Sequence, residues 1–140
     1  MPQWPWRNPR PGVDDYGRSP LWHHAAVGDI AAVRADLANG LDPTAADKDG
    51  YSSLHVAAQN GHVEMIAFLL ESGADPNCRD RHGNNALWTA ASRGYSGIPI
   101  IPLLLRAGAN PDQVNKAGRS PQFWREGFPE MNQVFRDDGF

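Results

Sequence analysis

The stretch that decides the fold runs Asp47-Lys-Asp-Gly-Tyr-Ser-Ser-Leu-His-Val-Ala-Ala-Gln-Asn-Gly-His-Val-Glu-Met-Ile-Ala-Phe-Leu-Leu-Glu-Ser-Gly-Ala-Asp-Pro-Asn77. Asp49-Gly50 is a turn signal. Ser52 or Ser53 then offers a hydroxyl that can cap a helix by accepting from its free N–H groups. Leu54, Ala57 and Ala58 make a short apolar face that ends at Gly61. Beyond that tight turn, Val63, Ile66, Leu69 and Leu70 fall on one stripe at helical spacing. Gly73 comes where a left-handed helix end needs a residue without Cβ, and Asp75-Pro76 stops any continuation. The stretch predicts a turn, a short helix, a turn, a longer helix and an exit loop. Its paired alanines let two antiparallel helices approach closely over small side chains.

The same wording recurs on both sides. Gly17, Gly50 and Gly83 are spaced by 33 residues, and Gly118 follows after 35. Leu21, Leu54 and Leu87 keep the interval of 33, as do Gly28, Gly61 and Gly94. Gly40, Gly73 and Gly108 repeat at 33 and 35. Self-similarity at one fixed interval means a stacked array, in which each unit buries its apolar face only against its neighbours.

These residues resemble the ankyrin repeat, whose pattern of Gly-x-Thr-Pro-Leu-His, Ala-Ala, Gly-His and Gly-Ala-Asp-x-Asn is a specific repeat signature. Gly17-Arg-Ser-Pro-Leu-Trp22, Gly50-Tyr-Ser-Ser-Leu-His55 and Gly83-Asn-Asn-Ala-Leu-Trp88 open three units. Gly40-Leu-Asp-Pro-Thr44, Gly73-Ala-Asp-Pro-Asn77 and Gly108-Ala-Asn-Pro-Asp112 close them. The resemblance implies an all-α ankyrin-repeat solenoid of about four helix-turn-helix units with short β-turn tips. The units are assigned to residues 15–47, 48–80 and 81–114, with a degraded C-terminal cap over 115–140 and an extended Pro/Trp-rich arm over 1–14. Trp4 and Trp6 of that arm are expected to lie over the exposed end of unit one, with a partner-binding arm as the alternative.

Departures from the pattern carry their own expectations. Trp22 replaces a histidine and His24 an alanine, which suits a terminal cap. Unit three holds two extra residues around Ser96-Gly97, and Pro99 and Pro102 crowd its second helix, which should start late or bend. Unit four has Gln122 for leucine and Arg125-Glu126 in place of the alanine pair. Unpaired charges cannot be buried, so both are expected to face solvent. Met131, Val134 and Phe135 would supply the last apolar contact.

With 140 residues and a net charge of −3, the chain reads as one soluble domain with no overall charge argument for nucleic acid or a membrane. No apolar run approaches the roughly 20 residues of a membrane span. The single cysteine, Cys78, and the lack of an apolar leader point to a reducing, cytoplasmic setting.

Chemistry is sparse. His55 and His62 stand where ankyrin units place histidines that hydrogen-bond across the turns. His23 and His24 are adjacent and point about 100° apart on a helix, and no Cys/His spacing resembles a zinc site. The glycines punctuate turns and form no phosphate loop, and the scattered carboxylates form no pair for acid–base work. The expectation is therefore no enzyme, no metal and no cofactor. The alternative is a small-molecule or metal-binding protein or enzyme using the edge around Trp22, His23, His24 and His55.

The resemblance also places a binding surface. Ankyrin stacks bind through turn tips and the exposed side of each first helix, their concave face. Counted from each turn glycine, that register selects Tyr16 and Arg18 in unit one, with Asp15, Ala26 and Val27. It selects Lys48, Asp49, Tyr51, Gln59 and Asn60 in unit two, and Arg81, His82, Asn84 and Arg93, with Ser92, in unit three. Lys116 and Arg119, with Ala117, follow in unit four. Six of the 13 Lys and Arg fall in this set but only two of the 16 acids, so the face is basic on an acidic molecule. Tyr and Arg are also the types enriched at interface hot spots. The implied partner is another protein presenting an acidic patch, bound by a chain that is monomeric when free. A bare stack suits an inhibitor that covers one partner. The Gly83-to-Ala91 wording and the insert after Arg93 are similar to small bacterial ankyrin proteins, some of which act as toxin-immunity proteins, which makes a toxin domain one such partner.

Overall fold

Seven α-helices and two 3-10 segments form the described part of the computed structural model, residues 12–140. Helices α1 (Pro20–Val27), α3 (Ser53–Gln59) and α5 (Ala86–Ser92) each open a hairpin. Helices α2 (Ile30–Ala38), α4 (Val63–Glu71) and α6 (Ile101–Arg106) close them. A 3-10 segment, Pro121–Gly127, and α7 (Pro129–Asp137) end the array. Among the described residues there is no strand, only an isolated antiparallel bridge between Ala46 and Ser52. The predicted arm lies almost wholly outside the described residues, Trp4 and Trp6 included.

Each opening helix starts the same way. Ser19 Oγ accepts from the Trp22 N–H at 3.2 Å, Ser52 Oγ from the His55 N–H at 3.3 Å, and Asn85 Oδ1 from the Trp88 N–H at 3.0 Å. Such a side chain satisfies one of the donors a helix leaves free at its start. Of the two serines before α3, Ser52 is the cap, while the buried Ser53 Oγ finds no partner.

Small residues let the opening helices stack. Helix α1 packs on α3, α3 on α5, and α5 on the Pro121–Gly127 segment. Leu21, Leu54 and Leu87, with Ala25, Ala57, Ala58, Ala90 and Ala91, are all essentially inaccessible. On α4 the expected stripe buries Ile66 and Leu69 fully but Val63 and Leu70 only in part, and Met65 joins the core beside them. Met65 stands four residues before Leu69, on the same helix face, so it is buried with that stripe.

Unit three bends as its prolines require. The chain makes a 3-10 turn at Gly94–Gly97, and α6 begins only at Ile101, with Pro102 in its first turn. There the missing N–H leaves no hydrogen bond unmade. Gly97 closes directly on α5, where a Cβ would stand 1.7 Å from the Ala90 carbonyl oxygen.

The cap departs from expectation at Arg125. Glu126 is exposed, but Arg125 is half-buried and turns inward. Its Nε and Nη2 donate to Asn132 Oδ1 at 3.0 and 2.7 Å, and Nη2 also donates to the Phe140 carbonyl at 3.1 Å. The guanidinium lies 5.2 Å from the Phe135 ring centroid. A 3-10 segment in place of an α-helix aims this side chain at α7, where polar acceptors satisfy the head while the stem covers apolar surface. Met131 and Phe135 are fully buried and Val134 partly so.

Candidate protein-binding face

The tips are built by a second repeated series, at the third residue before each turn glycine. Asp14, Asp47, Asp80 and Asn115 each use one oxygen, Oδ1, to accept two backbone N–H groups, from the residues two and four further on, at 2.8–3.0 Å. This side chain substitutes for backbone and holds the loop closed. Successive tips are then tied together. The Lys48 N–H donates to the Tyr16 carbonyl at 2.9 Å, that of Arg81 to Asp49 at 2.7 Å, and that of Lys116 to His82 at 2.9 Å. Gly50 shows why glycine is needed here. Its φ is +73°, and a Cβ would stand 2.8 Å from the Arg79 carbonyl oxygen of the next tip.

Side chains hang from this ribbon unequally. Tyr16, Lys48, Asp49, Gln59, Asn60, Arg81, His82, Lys116 and Arg119 are exposed. Arg18, Tyr51, Asn84 and Arg93 are half-buried, because each also serves the stack. Arg18 Nε donates to Asp14 Oδ2 at 2.8 Å, and its guanidinium lies over Tyr16 and Trp22. Arg93 Nη1 donates to the Gln59 carbonyl across the unit boundary. Asn84 accepts at its carbonyl from His55 and at Oδ1 from Asn115 Nδ2, at 2.8 and 2.9 Å. Arg81 reaches Asp49 at 3.5 Å, an exposed pair. The Tyr51 hydroxyl donates to Gln59 Oε1 at 2.6 Å. Burial, helped by Asp80 and Asp47, pushes the Tyr51 phenol up to about 12, against a hydrogen bond with Thr89.

Four of the five histidines are engaged in the scaffold, while the exposed His82 accepts at Nε2 from Arg81 Nε at 3.3 Å. His55 donates from Nε2 to Asn84, and His62 from Nε2 to the Ala26 carbonyl at 2.9 Å. His23 pairs with Asp14 at 2.9 Å and His24 with Asp36 at 2.6 Å, on different partners as their adjacency predicts. Desolvation raises the Asp14 carboxyl, but hydrogen bonds from Arg18, His23 and Tyr16 outweigh it and hold the group well below the carboxylate range. Trp22 does the work of His55 in unit one, donating from Nε1 to the Tyr51 carbonyl at 2.9 Å. The Cys78 thiol is pushed up by burial and by Asp75 and Asp42, away from reactivity. Among the described residues no three His, Cys, Asp or Glu side chains gather as metal ligands, and no helix is long and apolar enough to cross a membrane.

A family model for ankyrin repeats matches three copies here, over residues 8–80 and 26–115. The chain belongs to the ankyrin-repeat family. It is 38% identical over 42 residues to ankyrin repeat domain-containing protein 39 of Bos taurus. That match covers 30% of this chain and 23% of the relative, so the chain spans less than a quarter of the protein it matches. Ankyrin repeats are protein–protein interaction modules.

Proposed function

We propose that this ankyrin chain is a non-catalytic module that docks its tips and opening helices on an acidic patch of one partner protein. The observation that carries this reading is the ribbon of tied tips with Lys48, Arg81, Lys116 and Arg119 exposed along it. Docking of this kind occludes the partner's surface, so the module acts as an inhibitor. Neutralising a toxin domain, as an immunity protein does, is one form of that action. It draws its support from the likeness of Gly83 to Ala91, and of the insert after Arg93, to small bacterial ankyrin proteins.

The test is affinity capture of host proteins on the chain, followed by calorimetry with the purified partner at several salt concentrations. Wild type should bind one to one and weaken as salt rises, because exposed charges are screened over about 8–10 Å. Arg81→Glu should weaken binding further. Affinity indifferent to both salt and charge reversal would refute the acidic-patch reading.

A further inference from the structure

The two ends of the tip ribbon differ in one charge. Arg18 and Arg119 hold the same place in units one and four, each directly after its turn glycine. Beside Arg18 stands Asp14, whose Oδ2 accepts from Arg18 Nε at 2.8 Å. The matching corner of unit four is Asn115. It makes the same two backbone hydrogen bonds, from Ala117 and Arg119 N–H at 2.9 and 3.0 Å, but brings no charge. The corner does its structural work in both units, and only at the C-terminal end does it leave the arginine without a counter-charge. Among the described residues no carboxylate pairs with Arg119.

Arg119 is nevertheless held in place. Its guanidinium lies 4.4 Å from the centroid of the Phe123 ring. Phe123 is 44% exposed, although it belongs to an aromatic group that could have covered it. It stacks on Trp88 at 6.3 Å and 20°, and Trp88 meets Trp124 edge-on at 5.4 Å. Lys116, exposed and without an ion-pair partner among the described residues, sits on the same tip. Of the nearby acids, Asp112 already accepts from Gln122, and Glu126 is exposed in the Pro121–Gly127 segment. A planar guanidinium resting on a ring keeps its fork free for a carboxylate and loses little entropy on binding one.

We infer that this shelf, Arg119 over Phe123 beside Trp88 and Lys116, anchors a partner segment bearing a carboxylate next to an aromatic or large aliphatic side chain. The carboxylate takes the Arg119 fork, and the apolar side chain covers Phe123 and Trp88. This inference rests on the reading of the tips as the docking face, and places the anchor at the C-terminal end of the ribbon.

The experiment is an NMR titration of the full chain with the capped peptide Glu-Asp-Glu-Phe-Asp-Glu and with its Gln/Asn counterpart. The acidic peptide should move the indole N–H signals of Trp88 and Trp124 and the Nε–H of Arg119, and the uncharged counterpart should not. Arg119→Gln should abolish the response with the fold intact by its amide spectrum, and Arg34→Gln, exposed on α2 outside the tip ribbon, should leave it unchanged. Phe123→Leu should weaken the peptide by about threefold or more. Shifts centred on Lys48, Tyr51 and Arg81 would overturn the shelf while keeping the basic ribbon as docking face. Shifts nowhere would overturn both. Shifts at Trp88 that survive Arg119→Gln would overturn the carboxylate anchor.

Discussion

Nε2 of His55 donates to the carbonyl oxygen of Asn84 at 2.8 Å, while its Nδ1 accepts from the Ser52 backbone N–H at 3.2 Å. One neutral tautomer serves both contacts, joining the cap of α3 to the tip of the following unit. Burial pushes the imidazole pKa down, more than the Asn84 carbonyl and the charges of Asp80 and Asp47 restore it. The folded chain therefore resists protonation below the pH at which a free histidine, near about 6.5, takes its proton. Between those two values the unfolded state binds the extra proton, so stability is full above about pH 6.5 and falls as the pH drops towards the folded value. Urea midpoints for wild type and His55→Gln, compared from pH 7.5 down to 5, should converge as the pH falls. His55→Ala at neutral pH should cost about 2–4 kcal/mol, since it strands two buried backbone groups and leaves a void.

Gly50 and Gly118 share a turn position and a left-handed backbone, with φ of +73° and +76°, yet their surroundings differ. A Cβ at Gly118 meets nothing within 4 Å, while one at Gly50 meets the Arg79 carbonyl at 2.8 Å. Gly118→Ala should cost only the left-handed penalty, about 1–2 kcal/mol. Gly50→Ala should cost clearly more, because the backbone of the next tip must give way and the Arg81-to-Asp49 hydrogen bond sits beside it. Equal urea midpoints for the two variants would contradict this account of why the tips need glycine.

Ionisation of Tyr51 gives a signature at the alkaline end. With its phenol pKa raised to about 12, the folded chain keeps the neutral form that donates to Gln59. The unfolded chain ionises near about 10. A raised folded value means that this contribution to stability is full below about pH 10 and is lost as the pH climbs towards 12. Ultraviolet titration should show one phenol ionising at about 12 that is missing in Tyr51→Phe.

How much of this was legible in the sequence follows from which forces are local. Turn glycines, helix caps and the leucine and alanine core follow from residue type and spacing, and they stand where the 33-residue interval puts them. The late start of α6 was equally readable, because proline acts on its own backbone. The Asp14, Asp47, Asp80 and Asn115 series kept the same register but read as scattered acids. Its signal was available: a carboxylate and an amide are interchangeable only where one oxygen accepts from backbone, and that substitution marks the role. The half-burial of Arg93 and Asn84 could not be read, because it depends on groups that the preceding unit brings into reach, the Gln59 carbonyl for Arg93 and Nε2 of His55 for Asn84. Met65 was readable, since it stands four residues before Leu69 on the same face of α4.

Arg125 tests the same distinction at the end of the stack. Charge alone sent it to solvent, whereas the folded chain uses it to join the Pro121–Gly127 segment to α7 through Asn132, Gln122 and the Phe140 carbonyl. Arg125→Ala removes those charge-assisted hydrogen bonds and uncovers the edge of Phe135, so the cap should loosen by about 1–3 kcal/mol. Arg125→Lys should rescue only part of this, since a single ammonium cannot reproduce the planar fork. The loss should be local. Amide exchange in α7 should speed up by about tenfold or more, since each 1.4 kcal/mol is a factor of ten, while α3 and α4 keep their protection. Unchanged exchange in α7 would return Arg125 to the solvent-facing role its charge first suggested, and uniform acceleration throughout would show that the cap and the central units unfold as one.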